Sequence, residues 1–77
     1  MDDQTRIKIC EETCRLIRER RENLGLSMNE VARRTGLAQQ TVSFVERGMR
    51  MPTLDTLLRI TGALDLDLWK VLRDAGK

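Results

Sequence analysis

The sequence contains no histidine and no tyrosine, and it has single copies of tryptophan, phenylalanine and proline. Histidine is the commonest metal ligand and the usual proton-transfer group near neutral pH, so its absence argues against many enzymes. Cys10 and Cys14 are the only thiols. They lie four residues apart, on one face of a helix, and without further ligands they make a poor zinc site. We interpret them as small core residues, and we predict no enzyme activity, no metal and no cofactor.

Long apolar runs are also missing. No stretch approaches the roughly 18 apolar residues that span a bilayer, and the opening segment MDDQTRIK begins with acidic residues instead of an apolar signal sequence. We therefore expect a cytoplasmic protein with no membrane segment. A length of 77 residues predicts a single domain over 1–77. A fold of this size buries a modest core and gains from an oligomeric partner.

Alternation of β-branched residues is absent, and the apolar residues recur with a helical period, which predicts an all-α fold. Ser27 and Glu30 have the spacing of a capping box, which marks a helix start. Gly36 and Gly48 are typical helix ends. On these signals we predict five helices, at about residues 4–23, 27–35, 38–47, 53–64 and 67–75.

The same period predicts which apolar residues form the core. In the first helix the expected row is Ile7, Cys10, Cys14, Ile17 and Leu24. In the fourth helix it is Leu54, Leu57, Leu58, Thr61 and Leu64, and in the fifth it is Leu68, Val71 and Leu72. Thr53 and Asp67 are the expected N-caps of these last two helices. Gly62 lies inside the fourth helix, where a close approach of another helix would explain it.

The excess of positive charge is local. Residues 27–52 hold four arginines against two glutamates, whereas the flanking segments balance. The third predicted helix lies in this segment. Val42 and Val45 mark its inner side, and the opposite side carries two adjacent amides, Gln39 and Gln40. A helix turned to solvent for solubility alone favours Glu and Lys, so this face predicts recognition of an anionic partner with a hydrogen-bonding pattern.

The order of several motifs is specific. From residue 16 to 72 the chain carries, in order, Arg21, GLS, ExA at 30–32, Gly36, TVS at 41–43, ERG at 46–48 and PTLDTLL. In this it resembles the Xre/Cro-type helix-turn-helix family, which includes the lambdoid phage repressors. The resemblance covers about three quarters of the chain. It implies a compact five-helix, lambda-repressor-like fold.

The resemblance also implies roles for individual residues. The third helix enters the major groove of DNA, as such recognition helices do. The implied base contacts are Gln39, Gln40, Ser43 and Phe44, and a glutamine amide suits a bidentate bond to adenine. The implied phosphate contacts are Ser27, Arg34, Arg47 and Arg50. Arg21 and Glu46 match a structural ion pair between the first and third helices.

The sequence departs from the family pattern at four positions. Phe44 replaces a residue that is usually polar, so it either contacts a thymine methyl group or packs back onto Met28 or another chain. Met28 stands where a phosphate-binding Gln is common. Ala38 stands where Ser or Thr caps the recognition helix. Arg20 replaces a Leu, and it either shrinks the core or contacts the backbone.

The function predicted from these features is a sequence-specific DNA-binding transcriptional regulator, a homodimer that recognises a two-fold operator in double-stranded DNA. Leu66 and Trp69 are the candidate dimer contacts, although partial burial of Trp69 within one chain is an equal alternative. No small-molecule effector site is apparent. The alternative is an antitoxin-like or adaptor protein whose main partner is another protein.

Overall fold

The computed structural model describes residues 1–49 and 51–77, so the predicted phosphate contact Arg50 lies outside the described residues. Within them the chain forms five α-helices: α1 (Asp3–Asn23), α2 (Met28–Thr35), α3 (Gln39–Glu46), α4 (Leu54–Ala63) and α5 (Leu68–Ala75). Every bound lies within one residue of its predicted position. The prediction of a compact all-α, five-helix fold is confirmed.

The core lies where α1, α2, α3 and α4 meet. Eight buried side chains form it: Cys14, Ile17, Val31, Ala32, Val42, Val45, Ile60 and Leu64. Helix α1 packs against both α5 and α3, while α2 packs against α3 and α4. The buried thiol of Cys14 confirms its interpretation as a core residue, whereas Cys10 is only half-buried.

Five of the predicted core residues are exposed instead. They are Ile7 and Leu24 in the α1 row, Leu54 and Leu58 in the α4 row, and Leu72 in α5. Ile60, absent from the predicted row, is fully buried. Helical period identifies residues that share a face, but burial also requires a neighbouring element over that face. Leu54 and Leu58, spaced four apart on α4, lack such cover within the described residues.

The turns on both sides of α3 depend on left-handed glycines. Gly36 has a φ of 76° and donates its amide to the carbonyl of Ala32 at 2.9 Å, which ends α2. Gly48 has a φ of 66°, and the amide of Met49 then reaches back to the carbonyl of Phe44 at 3.1 Å. Glycine adopts this backbone without the steric cost that a Cβ brings. The result is a short helix held between two sharp turns.

The N-caps agree with the sequence only in part. The hydroxyls of Ser27 and Thr53 accept the predicted amides, Glu30 N at 3.0 Å and Thr56 N at 3.1 Å. A full capping box would also have the Glu30 carboxylate accept the amide of Ser27. That half of the prediction is wrong, because the Glu30 carboxylate binds arginines of its own helix. Asp67 occupies the N-cap position but accepts no amide there, and its carboxylate instead lies 3.5 Å from Lys70 Nζ.

The structure answers two questions that the sequence left open, namely what Arg20 contacts and whether a close helix explains Gly62. Arg20 donates from Nε to the carbonyl of Leu64 at 3.1 Å, so the alternative of a backbone contact is confirmed. This bond ties α1 to the end of α4. A Cβ placed on Gly62 meets nothing within 4 Å, so no close helix explains that glycine.

Among the described residues, no helix combines the length and the apolar character needed to cross a bilayer.

Candidate nucleic-acid interface

One side of α3 faces solvent and the other is anchored. Val42, Val45 and Glu46 are buried, whereas Gln39 and Gln40 are exposed in the first turn. Ser43 and Phe44 are half-buried. At 3.6 residues per turn, the four predicted base-contacting residues lie within an arc of about 140°. The structure therefore presents them together, on one surface.

An ion pair fixes α3 to α1. Arg21 donates from Nε to Glu46 Oε2 at 2.7 Å and from Nη2 to Glu46 Oε1 at 2.9 Å. The Arg21 side chain is 13% exposed and the Glu46 side chain 3% exposed. A third donor, Nη1, binds the carbonyl of Leu26 at 2.8 Å. The hydrogen bonds to Glu46 raise the pKa of Arg21. The predicted structural pair is present and holds α3 against α1.

The first turn of α3 has no side-chain cap. Ala38 has the extended backbone of an N-cap residue, with φ −69° and ψ 146°, but no side-chain oxygen. Orphan amides at a helix N-terminus are normally satisfied by such an oxygen. Gln39 and Gln40 therefore stand at a helix end that carries the positive end of the helix dipole.

The predicted phosphate contacts fall into two groups. Arg34 pairs with Glu30 at 3.3 Å, and Arg33 binds the same carboxylate. This arrangement, above all the bond from Arg33, lowers the pKa of Glu30. Arg47 is exposed at the end of α3, with its guanidinium 5.9 Å from the centroid of the Phe44 ring. Glu30 thus offsets only one of the two charges on Arg33 and Arg34. Arg47, which has no carboxylate partner among the described residues, is the more available of these arginines.

Ser27 and Phe44 lie at the edges of this surface. Ser27 is exposed and its hydroxyl caps α2. Phe44 borders a groove that it shares with Met51 and Pro52, while Met28 borders a different groove with Ser43. Packing of Phe44 onto Met28 or onto another chain, and its contact with a thymine methyl group, stay alternative predictions.

Sequence reasoning missed Arg18. This exposed α1 residue lines a groove together with Ser43 and Arg47 of the α3 side. The available signal was its spacing: Arg18 precedes Arg21 by three residues, which places both on the same face of α1.

A second surface lies away from α3, between α4 and α5. Trp69 is 60% exposed and Leu66 is half-buried. The cationic groups of Lys70 and Arg73 lie 5.6 and 5.3 Å from the Trp69 ring centroid. Next to it is an open groove of about 470 Å³, lined by Leu58, Thr61, Gly62, Leu66, Asp67, Leu68, Trp69 and Leu72.

Over residues 1–49 and 51–77, no group of three or more His, Cys, Asp or Glu side chains could hold a metal ion. Cys10 and Cys14 lie in α1, and burial, with Cys10 beside it, raises the pKa of the Cys14 thiol. A thiol in that state is a weak nucleophile and a weak ligand.

Comparison with known proteins agrees with this geometry. The Helix-turn-helix family HTH_3 matches residues 17–68, which include α2, α3 and α4 in full. An uncharacterized HTH-type transcriptional regulator of Methanothermobacter thermautotrophicus is 45% identical over 49 residues, covering 64% of this chain and 71% of that protein. Similar regulators occur in Sinorhizobium fredii, at 49% identity over 61% of this chain and 60% of the relative, and in Mycobacterium tuberculosis, at 44% over 62% and 34%.

The family match spans well over half of the chain, and its ends enclose the anchored helix α3 with its exposed amide face. The mycobacterial relative is about three times as long as the matching segment, so the match covers only 34% of that protein. We conclude that this chain belongs to the Xre/Cro-type helix-turn-helix family, as a DNA-binding transcriptional regulator and not an enzyme.

Proposed function

We propose that this protein recognises a specific DNA sequence by placing α3 in the major groove. The observation that carries the proposal is the pair of exposed amides, Gln39 and Gln40, on a helix whose other side is buried and tied to α1. A glutamine amide donates to and accepts from an adenine edge in one bidentate contact. Ser43 and Phe44 extend the same surface towards the next bases.

Contacts to the DNA backbone set the position of α3 on the duplex. Arg47 is exposed at the end of α3 and has no carboxylate partner among the described residues. Ser27 is exposed at the N-terminus of α2, where amides and the helix dipole favour an anion. We assign phosphate contacts to both, and to Arg34 after exchange of its partner Glu30. A regulator of this kind acts where DNA is held, so we propose a cytoplasmic location.

We also propose a homodimer formed through the α4–α5 surface. Trp69, which is 60% exposed, lines the groove, and so does Gly62, which has open space beyond its Cα. A projecting ring and a hollow on the same surface allow two copies to fit each other across a two-fold axis. Leu66 and Leu72 supply apolar area beside the ring. The two α3 helices would then lie about 34 Å apart, facing successive major grooves.

Selection of bound duplexes from a random DNA pool tests the DNA proposal. We expect a palindromic site with adenines in each half-site. Gln40→Ala should relax preference at one position and weaken binding by about 1–3 kcal/mol. Gln4→Ala, at an exposed glutamine in the first turn of α1, is the matched control. The proposal fails if no motif emerges and modest salt abolishes binding, because such binding is non-specific electrostatics.

Sedimentation of purified protein tests the dimer. We expect a concentration-dependent dimer that Trp69→Ala weakens and that Leu24→Ala, a truncation of another exposed apolar residue, leaves intact. A monomer at all concentrations would exclude the homodimer. If an unrelated chain then co-purified in fixed stoichiometry, the adaptor hypothesis would replace it.

A further inference from the structure

Two arginines stand apart from the others. Most arginines of the described residues have a carboxylate partner, namely Arg6, Arg15, Arg21, Arg33, Arg34, Arg59 and Arg73. Arg20 binds a backbone carbonyl. Arg18 and Arg47 have neither kind of acceptor within residues 1–49 and 51–77. The Arg47 guanidinium lies 5.9 Å from the centroid of the Phe44 ring. Their guanidinium donors are available to a ligand.

The fold brings these two arginines to the same place. Arg18 comes from the middle of α1 and Arg47 from the end of α3, and both line two adjoining grooves. One groove, of about 380 Å³, also contains Ser43 and Met28. The other also contains Glu11 and Arg15, the latter already held by Glu12 and Glu19. The Arg21–Glu46 pair joins α1 and α3 beside these grooves.

Electrostatics favour an anion in the Ser43 groove. Glu46 lines it, but both of its oxygens accept bonds from Arg21, and a third Arg21 donor is used by Leu26. This pair is internally neutral, so the two free guanidinium groups leave the groove positive. Ser43 offers a hydroxyl at the same groove, and the thioether of Met28 is a weak acceptor with no donor. The adjoining groove carries the carboxylate of Glu11, which opposes an anion.

We propose that Arg18 and Arg47 together hold one backbone phosphate of the duplex that α3 enters. The inference rests on the proposed function and extends the DNA contact onto α1, the helix that precedes α2 and α3. Its ligand is a phosphodiester of double-stranded DNA, since the groove runs beside the exposed face of α3. Two guanidinium groups suit a phosphate because each presents a planar fork of donors.

The test is the salt dependence of affinity for the selected duplex. Neutralising one phosphate contact should reduce the slope of log K against log salt by about 0.9. We expect Arg18→Gln to show this change and to bind about tenfold more weakly at moderate salt, with the selected sequence unchanged. Arg18→Lys should keep the slope. Arg6→Gln removes the same charge three turns earlier on α1 and should leave the slope unaltered.

Duplexes carrying a single neutral methylphosphonate identify the contact. Wild-type protein should lose affinity at one position in each half-site, and Arg18→Gln should be insensitive at that position alone. The same slope in Arg18→Gln and wild type would overturn the inference while specific binding remained. Wild-type protein that selected no duplex would instead remove the proposed function, and this inference with it. Arg18 is exposed and unpaired, so the variant should fold, which its thermal melting temperature reports.

Discussion

Arg21 and Glu46 meet side by side, with two parallel hydrogen bonds of 2.7 and 2.9 Å, in a site where both side chains are largely shielded from water. They are 25 residues apart in sequence. One belongs to the long helix α1 and the other to the short helix α3. Their contact ties α3, which carries the exposed glutamines, to α1, which carries Arg18.

Breaking this pair should destabilise the protein strongly. In Arg21→Gln the Glu46 carboxylate stays buried without its cation, and we expect the free energy of unfolding to fall by about 3–5 kcal/mol. Urea denaturation followed by circular dichroism measures it. Arg6→Gln, which breaks the exposed pair with Asp3, should cost less than about 1 kcal/mol. The double variant Arg21→Met/Glu46→Leu should recover much of the loss, and a double as unstable as the single would contradict this account.

Capping α3 should stabilise the protein. Ala38→Ser supplies the side-chain oxygen that the N-cap position lacks, and it should raise the free energy of unfolding by about 1 kcal/mol. For a domain of this size the melting temperature should rise by about 4–8 °C. Ala38→Val, which adds volume without an oxygen, is the control and should give no gain. Equal melting temperatures for Ala38→Ser and the parent would show that the orphan amides are already satisfied by water.

A substitution at Gly62 should affect the stability of the monomer and its self-association in opposite directions. Gly62→Ala should stabilise the monomer by about 0.5–1 kcal/mol, because the added Cβ meets open space and glycine is a poor helix former. If the α4–α5 groove is the dimer contact, the same methyl group should weaken self-association. Thermal melting at low concentration measures the first effect and sedimentation the second. Stabilisation with unchanged self-association would place the dimer contact elsewhere.

Cys14 should react slowly in the native protein. Burial raises its pKa above the usual 9.0, so little thiolate is present at neutral pH. Alkylation followed by mass spectrometry should modify the half-buried Cys10 first and Cys14 only as the protein unfolds. Because the folded pKa is the higher one, this thiol's contribution to stability is complete below pH 9.0 and declines as the pH rises through the folded value. Rapid modification of Cys14 in folded protein would contradict its burial.

Local signals in the sequence predicted much of the structure. The helix limits follow from caps and glycines that act over three or four residues, so each was correct to within one residue. The outward face of α3 followed from two valines three residues apart. The glycines at 36 and 48 mark turns because only glycine takes that backbone at little cost. These effects depend on neighbours in sequence, and a sequence displays them directly.

Other features depend on which elements pack together. Leu58 and Leu72 fit an apolar helix row as well as Ile17 does, yet they are exposed because no other part of the described chain covers them. The Glu30 carboxylate turned to arginines of its own helix instead of the amide that the capping box predicts. Each of these side chains can contact several partners at similar free energy, so the contact that it makes depends on the geometry of its surroundings.

The sequence by itself determined the helices, the exposed glutamine face and the family to which the chain belongs, because each rests on short-range pattern. Only the tertiary structure decided which arginines are free. It held Arg21 against Glu46 and left Arg18 facing the same groove as Arg47, whereas Arg33 and Arg34 meet Glu30 within α2, at the local spacing of three and four residues. The Arg21–Glu46 pair forms because packed helices bring two distant residues within reach, and that distance is a property of the fold.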